Sequence, residues 1–342
     1  MKLNKLDLKT TNNFNINDID IDITIPTNYN NKAYSIKSDE YTNIEVNVTK
    51  KEKLSSRIGI DFDSYYNVDI KIPKDTKIDE PIEFIYKFNN NDSLVDNLNI
   101  VYESGSKADI IIKSISEDNN NHFRYLKINT ISNPYSNGSI TIINLLNENS
   151  NHFLAIDNEV LDNSNIKHNI IDIGSNIKIN NMYSNIIGYN STNILNNMYI
   201  GSNSNILDMN YNFDIKAKNS KSIMKVEGAL FDTSKKNFRG IIDFKEGSSK
   251  SVGEENENCI LFSDTCISRS LPMLLCHEED VIGTHGVSSG KVSKDKLFYL
   301  MSRGLDKKDA SKLIVSANFS TIINDLPESI KEELNNIIDK RI

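Results

Sequence analysis

Between about residues 60 and 290 the chain alternates apolar and polar positions in short runs. Val68-Asp69-Ile70-Lys71-Ile72, Asp109-Ile110-Ile111-Ile112, Ser139-Ile140-Thr141-Ile142-Ile143 and Asn169-Ile170-Ile171-Asp172-Ile173 are examples. Successive side chains of an extended chain point to opposite faces, so this period of two, with its Ile and Val, predicts strands. Small polar clusters punctuate them. Asn137-Gly138, Asn163-Ser164, Asn190-Ser191, Asn219-Ser220 and Gly247-Ser248 recur every 26–29 residues, and Gly174-Ser175 and Gly201-Ser202 form an offset series. A fixed period of this size marks a repeat architecture. With no helical pattern between the strands, a doubly wound sheet is excluded. Two or more strands per period, with a turn at each corner, predict a mainly β protein built as a right-handed parallel β-helix. Roughly eight coils, stacked at about 4.8 Å, would give a solenoid roughly 40 Å long. No proline occurs between Pro134 and Pro272, as expected where every strand is paired on both sides and a missing N–H would break a ladder. A conventional β-sandwich is the rival, but it would show turns every 8–12 residues without the longer period.

The flanks differ from this middle, dividing the chain into a short N-terminal region of mixed strand and loop (1–60), the β-helix core (61–291) and a C-terminal helical domain (292–342). In the first, Ile16-Asn17-Asp18-Ile19-Asp20-Ile21-Asp22-Ile23 predicts a half-buried strand with Asp18, Asp20 and Asp22 on its solvated face. Calcium would want further oxygen ligands from a glycine-containing loop, and none follows. In the last, Ser293 can cap a helix to Arg303, with Leu297, Leu300 and Met301 on one face and Gly304 at its stop. Asp306 opens a second helix, with Ala310, Leu313, Ile314 and Ala317 as its apolar stripe. Asp325 and Pro327 open a third, with Ile330, Leu334, Ile337 and Ile338 on one side. These helices are expected to cap the last coil and to offer a groove or helix face to a partner.

Composition narrows the function classes. The 342 residues can bury a large core. A net charge of −8 without a long basic run argues against nucleic acid and anionic membrane surfaces as partners. Met1-Lys2-Leu3-Asn4-Lys5 lacks the apolar core of an export signal, and no stretch reaches about 18 apolar residues, so a soluble cytoplasmic protein is expected. Three cysteines fit a reducing compartment better than a disulfide framework.

All three cysteines and two of the five histidines fall between Cys259 and His285. Soft and borderline ligands gathered in one segment suit iron, an iron–sulfur cluster, copper(I) or zinc. The spacing is not that of a zinc finger, and a lone Cys is commonly a buried small hydrophobe. Cys259 and Cys276 are therefore read as core residues and His277 as a surface residue. No glycine-rich phosphate loop ending in Lys-Ser/Thr is present, so ATP binding by this chain is not expected, and no hydrolytic triad or carboxylate pair stands out.

Where the strand pattern gives way to helix, Thr284-His285-Gly286 and Leu297-Phe298-Tyr299-Leu300 with Ser302-Arg303-Gly304 resemble the SufB/SufD family of iron–sulfur cluster assembly proteins. The ungapped likeness covers about 25 residues; a looser one runs back to Phe238-Arg239-Gly240-Ile241-Ile242 and forward to the C-terminus. The resemblance implies a non-catalytic assembly subunit that pairs with a SufB-type subunit or with itself. It also implies docking of a SufC-type ABC ATPase on the helical end, around Leu297, Phe298, Tyr299, Arg303 and Gly304. ATP-driven movement of that ATPase would strain the subunit boundary and expose Cys266 and His285 to a transient iron–sulfur cluster or iron. Cys266, six residues before Pro272, is similar to a SufB-type cysteine. His285 matches a histidine shared by both branches. Gly283 stands where SufD-type chains often carry Cys, and Gly286 where SufB-type chains carry Glu. A SufD-like subunit with a spare thiol and a self-pairing hybrid both remain open. The N-terminal helical region common in the family is expected to be shortened. Two other readings are a polysaccharide-binding or polysaccharide-acting β-solenoid, which usually carries an export signal and exposed aromatics, and a zinc-stabilised structural protein using Cys266, Cys276, His277 and His285.

Overall fold

A computed structural model describes residues 1–7, 14–26, 35–37, 45–50, 53–64 and 66–341. Two nine-stranded sheets face each other. One contains Ser35–Lys37, Ile82–Phe88, Lys107–Ser116, Asn137–Leu145, Asn165–Asp172, Thr192–Gly201, Lys221–Leu230, Val252–Leu261 and Ile282–Lys291. The other contains Glu45–Lys50, Tyr66–Ile72, Ser93–Tyr102, Phe123–Ser132, Asn151–Val160, Ile177–Ile186, Ile206–Ile215, Lys235–Phe244 and Ile267–Cys276. The chain crosses from sheet to sheet at every turn, and each strand from Tyr66 to Leu261 pairs in parallel with the strand one coil later. Successive coils therefore stack in register, 26 to 32 residues apart. This is the expected parallel β-solenoid of about eight coils, flattened so that two sheets enclose one lumen.

The repeated Asn-Ser and Asp-x-Ser pairs are its corners. Asn163, Asn190, Asn219 and Asp232 adopt left-handed backbone conformations (φ 53–58°), which Asn and Asp tolerate better than other residues with a side chain. The serine that follows is buried and closes the turn with its hydroxyl. Ser164 donates to the Leu161 carbonyl at 2.6 Å, Ser191 to Gly188 at 2.8 Å, Ser234 to Phe231 at 2.6 Å and Ser248 to Lys245 at 2.7 Å. The abundance of asparagine is thus turn chemistry, supplemented by side-chain ladders such as Asn196 to Asn169 to Thr141, at 3.0 Å each.

Both outer faces are covered. Leu3, Ile19, Ile21, Leu54, Ile58 and Phe62 lie on the outer side of the second sheet, against Val95, Phe123, Tyr125, Phe153 and Ile179. The Ile16–Ile23 alternation forms strand only at Ile19–Asp20. Its isoleucines at 16, 19 and 21 are nevertheless buried, and Asp20 and Asp22 exposed, because the segment is a strap over a sheet face. Asn4 and the fully buried Arg239 pin it. Asn4 Nδ2 donates to the Asn180 carbonyl and to Asp208 Oδ1, both at 3.1 Å, and Arg239 donates to the Ile16 carbonyl at 3.1 Å while pairing with Asp208.

Three helices follow, α1 (Lys294–Ser302), α2 (Lys307–Ile323) and α3 (Glu328–Arg341); α2 and α3 cover the outer side of the first sheet, and α1 packs on α2. α2 and α3 bury Val315, Phe319, Ile322, Ile330, Leu334 and Ile338 against Ile111, Ile143, Ile171, Met198 and Ala229. Lys113 Nζ holds Glu333 at 2.5 Å. This corrects two expectations. The helices lie along the flank of the solenoid instead of capping its last coil, because the outward apolar residues of five consecutive coils offer them a larger apolar face. α2 accordingly turns Val315 and Phe319 inward and leaves Leu313 exposed. No helix among the described residues is long and apolar enough to cross a membrane.

Candidate functional site

With the helices on its flank, the solenoid ends in two ten-residue strands, Ile267–Cys276 and Ile282–Lys291, that have a neighbour on one side only. Pro272 sits in the first of them, as an edge strand permits. In the second, Gly283 faces the lumen: a Cβ there would lie 2.5 Å from Leu274 Cδ2. The glycine fits where a larger side chain would overlap. His285, two residues on, faces the same way and is exposed at the lumen mouth.

Cys266 stands at the corner before Ile267, half-buried, with its Sγ 3.6 Å from the Asp232 carbonyl. The two predicted ligands do not meet within one chain. Ser268 and Ser289 touch across the lumen at 2.7 Å; Cys266 lies beyond that crossing and His285 four residues before it on the opposing strand. At about 3.3 Å per residue they are roughly 20 Å apart along the coil. Cys276 is exposed at the far end of Ile267–Cys276, so it is not the core residue expected; a strand of ten residues separates it from Cys266. Those two thiols cannot share one zinc ion. His277 is at the surface as expected, 3.5 Å from Asp243.

The sequence reading missed the row lining the lumen just below this mouth. On Val252–Leu261 the inward positions are Gly253, Glu255, Glu257 and Cys259, and the next coil sets Gly283, His285, Val287 and Ser289 in register above them. Glu257 is fully engaged. Its Oε1 accepts from Tyr199 at 3.2 Å and from the buried Lys236 ammonium, and its Oε2 accepts from Ser270 at 2.6 Å. Glu255 is equally buried, yet neither of its oxygens has a hydrogen-bond partner. Its carboxyl lies where a side chain on Gly240 would be: a Cβ there would be 2.1 Å from Glu255 Oε1. Burial, reinforced by the Glu257 carboxylate, pushes Glu255 up to about 8. Burial also raises the Cys259 thiol, partly offset by the Lys236 ammonium. The signal was present in Gly253-Glu254-Glu255-Asn256-Glu257-Asn258-Cys259, but an alternation of polar residues does not say which face is inside.

The helical candidates form a second locality. Ser293 caps α1 by accepting from the Lys296 amide at 3.3 Å, and Gly304 ends it at φ 98°. Asp306 caps α2 by accepting from the Asp309 amide at 2.7 Å. No residue of α1 is buried. Phe298 is 73% and Tyr299 56% exposed, and Arg303 lies over the Tyr299 ring at 5.3 Å. Between α1 and α2, Tyr299, Leu300, Leu313, Ile314 and Ala317 line an apolar groove of about 430 Å³, with Asp295 and Lys296 at its edge. The sequence stripe of α2 lines this groove.

Comparison with known proteins gives one family match. The model described as SUF system FeS cluster assembly, SufBD core domain, fits residues 85–318. The iron–sulfur cluster assembly protein SufD of Bacillus subtilis (strain 168) is 31% identical over 126 residues, 36% of this chain and 29% of that protein. SufD of Escherichia coli (strain K12) is 27% identical over 115 residues, 34% of this chain and 26% of that protein. A SufBD family protein of Pyrococcus horikoshii is 26% identical over 140 residues, 41% of this chain and 31% of that protein. The chain thus spans less than a third of the length of each of these relatives.

Proposed function

Because the chain belongs to the SufBD core family of the SUF iron–sulfur cluster assembly system, we propose that it is a scaffold subunit whose cargo is iron and sulfide. It pairs end to end with a SufB-type subunit or a second copy, and it docks a SufC-type ATPase. The observation that carries this reading is the uncovered last coil. Two ten-residue strands with one free side each present aligned backbone donors and acceptors to another chain. The same edge brings His285 to the boundary, and Cys266 stands at the corner of the same coil. Their wide separation within one protomer means that a cluster held by a thiolate and an imidazole must take donors from both subunits; both donor types suit iron. Chemical work by this chain alone is not required, since ATP hydrolysis would belong to the partner.

The α1–α2 groove is the proposed seat of the ATPase. It is apolar and concave, edged by Asp295, Lys296 and Tyr299, and it stands on helices anchored to the solenoid by α2 and α3. A partner helix or loop fitting such a groove gains affinity by burying apolar area.

The test is anaerobic co-purification from the native host, with iron and sulfide measured on the complex. A SufC-type ATPase and a second solenoid chain should co-elute. Leu313→Asp, which charges the groove without touching the solenoid core, should lower ATPase capture at least tenfold. Undiminished capture with that variant would remove the docking assignment.

A further inference from the structure

The lumen mouth holds a carboxyl group for which the fold itself offers no hydrogen-bond partner. Two glutamates point inward on Val252–Leu261. Glu257 is saturated by Lys236, Tyr199 and Ser270. Glu255, two residues away, is completely buried and has no partner on either oxygen. An unmet buried carboxyl is costly, and in other coils this position is filled by apolar Ile110, Ile140, Leu195 and Met224, with the buried His168 the one polar exception. Gly240 preserves the room the carboxyl occupies. Directly above, one strand spacing away in register, is His285, whose imidazole is exposed at the open end. Parallel strands in register set same-facing residues about 4.8 Å apart at the backbone, so the imidazole and the carboxyl enter the lumen at adjacent levels.

We infer that Glu255 is a metal ligand: with His285 it forms a two-residue site for ferrous iron at the lumen mouth, placing the ion one coil inside the subunit boundary. Carboxylate oxygen and neutral imidazole nitrogen are a donor pair that Fe²⁺ accepts. No group of three His, Cys, Asp or Glu donors is gathered among the described residues. Two donors from this chain leave positions for water or for the partner's groups, which suits an ion that must be passed on. The inference rests on the scaffold reading for the identity of the ion as iron; the pair of ligands is a property of the isolated chain.

The experiment uses the purified full chain under anaerobic conditions, with Co²⁺ as the probe, read by its visible d–d bands and by calorimetry. The expected result is one Co²⁺ per chain, with affinity reduced at least tenfold by Glu255→Gln and by His285→Ala. Glu254→Gln, which alters a neighbouring residue of the opposite face, should leave it unchanged. Glu255→Asp keeps the charge but draws it back by one methylene; it should weaken binding and alter the bands, and it serves if the glutamine variant fails to fold. Wild-type affinity in the Glu255 variants overturns the inference, as does absence of Co²⁺ binding to the wild-type chain at millimolar metal. Loss of ATPase capture or of pairing in the co-purification would count against the scaffold reading alone, because neither enters this titration.

Discussion

Glu255 sets a pH dependence that belongs to one residue. In the unfolded chain a glutamate titrates near 4.5; in the fold burial raises it to about 8. Below pH 4.5 the group is neutral in both states and stability is unaffected. As pH rises through this window the unfolded chain ionises freely while the folded one resists, so stability is lost up to the folded value. The loss is at most about 5 kcal/mol. Glu255→Gln removes the titration, so in the absence of metal its melting temperature should exceed that of the wild type at pH 8 and match it at pH 5. Thermal denaturation at the two pH values checks this; an equal difference at both would show that Glu255 is not held in the raised state. Cys266 and His285 were singled out only because their sequence neighbourhoods resemble a family. Glu255 was not legible. Its role depends on which face of a polar strand lies inside, and register across coils, not local pattern, decides that.

At the scale of elements, the strands and corners were readable because each obeys local chemistry. A period of two gives the strand, and a left-handed Asn followed by a hydroxyl gives the turn. Ser191 is a case: its hydroxyl donates to the Gly188 carbonyl at 2.8 Å, in a corner where Ser220 also stacks. Ser191→Ala should cost about 1 kcal/mol, seen as a lower denaturant midpoint with unchanged slope. The helices were readable as helices but not in their orientation. α2 carries two apolar stripes: Leu313, Ile314 and Ala317 on one side, and Val315, Phe319 and Ile322 on the other. The choice between them depends on the outward isoleucines of distant coils. It yields a sharp contrast. Phe319→Ala should destabilise the protein by about 3–5 kcal/mol, because a buried aromatic leaves a cavity, whereas Leu313→Ala should change stability by less than about 0.5 kcal/mol. Equal losses in a chemical denaturation series would mean that the groove side of α2 is packed in solution.

At the scale of the whole molecule, the two ends of the solenoid are unlike. Among the described residues, the sheets finish toward the N-terminus in antiparallel strands of three and six residues, Ser35–Lys37 and Glu45–Lys50. Short edge strands are a recognised way of blunting an edge against further pairing. Toward the C-terminus they finish in two parallel strands of ten residues each, with Ile282 exposed at the start of the last. A rod with one adhesive end closes into a pair, whereas a rod with two would grow into a fibre. Association of this chain with a SufB-type subunit or a second copy should therefore stop at two solenoids. Light scattering over a hundredfold concentration range should show the mass rising from one chain to two and then levelling. Replacing Ile282 and Thr284 by lysine puts charge on the outward face of the terminal strand and should return the mass to one chain, while leaving the melting temperature nearly unchanged because both side chains are exposed in the isolated protomer. Mass that keeps climbing with concentration would mean that the N-terminal edge is also adhesive. A pair that survives both lysines would place the boundary away from the last coil, and with it the reason for His285 to stand there.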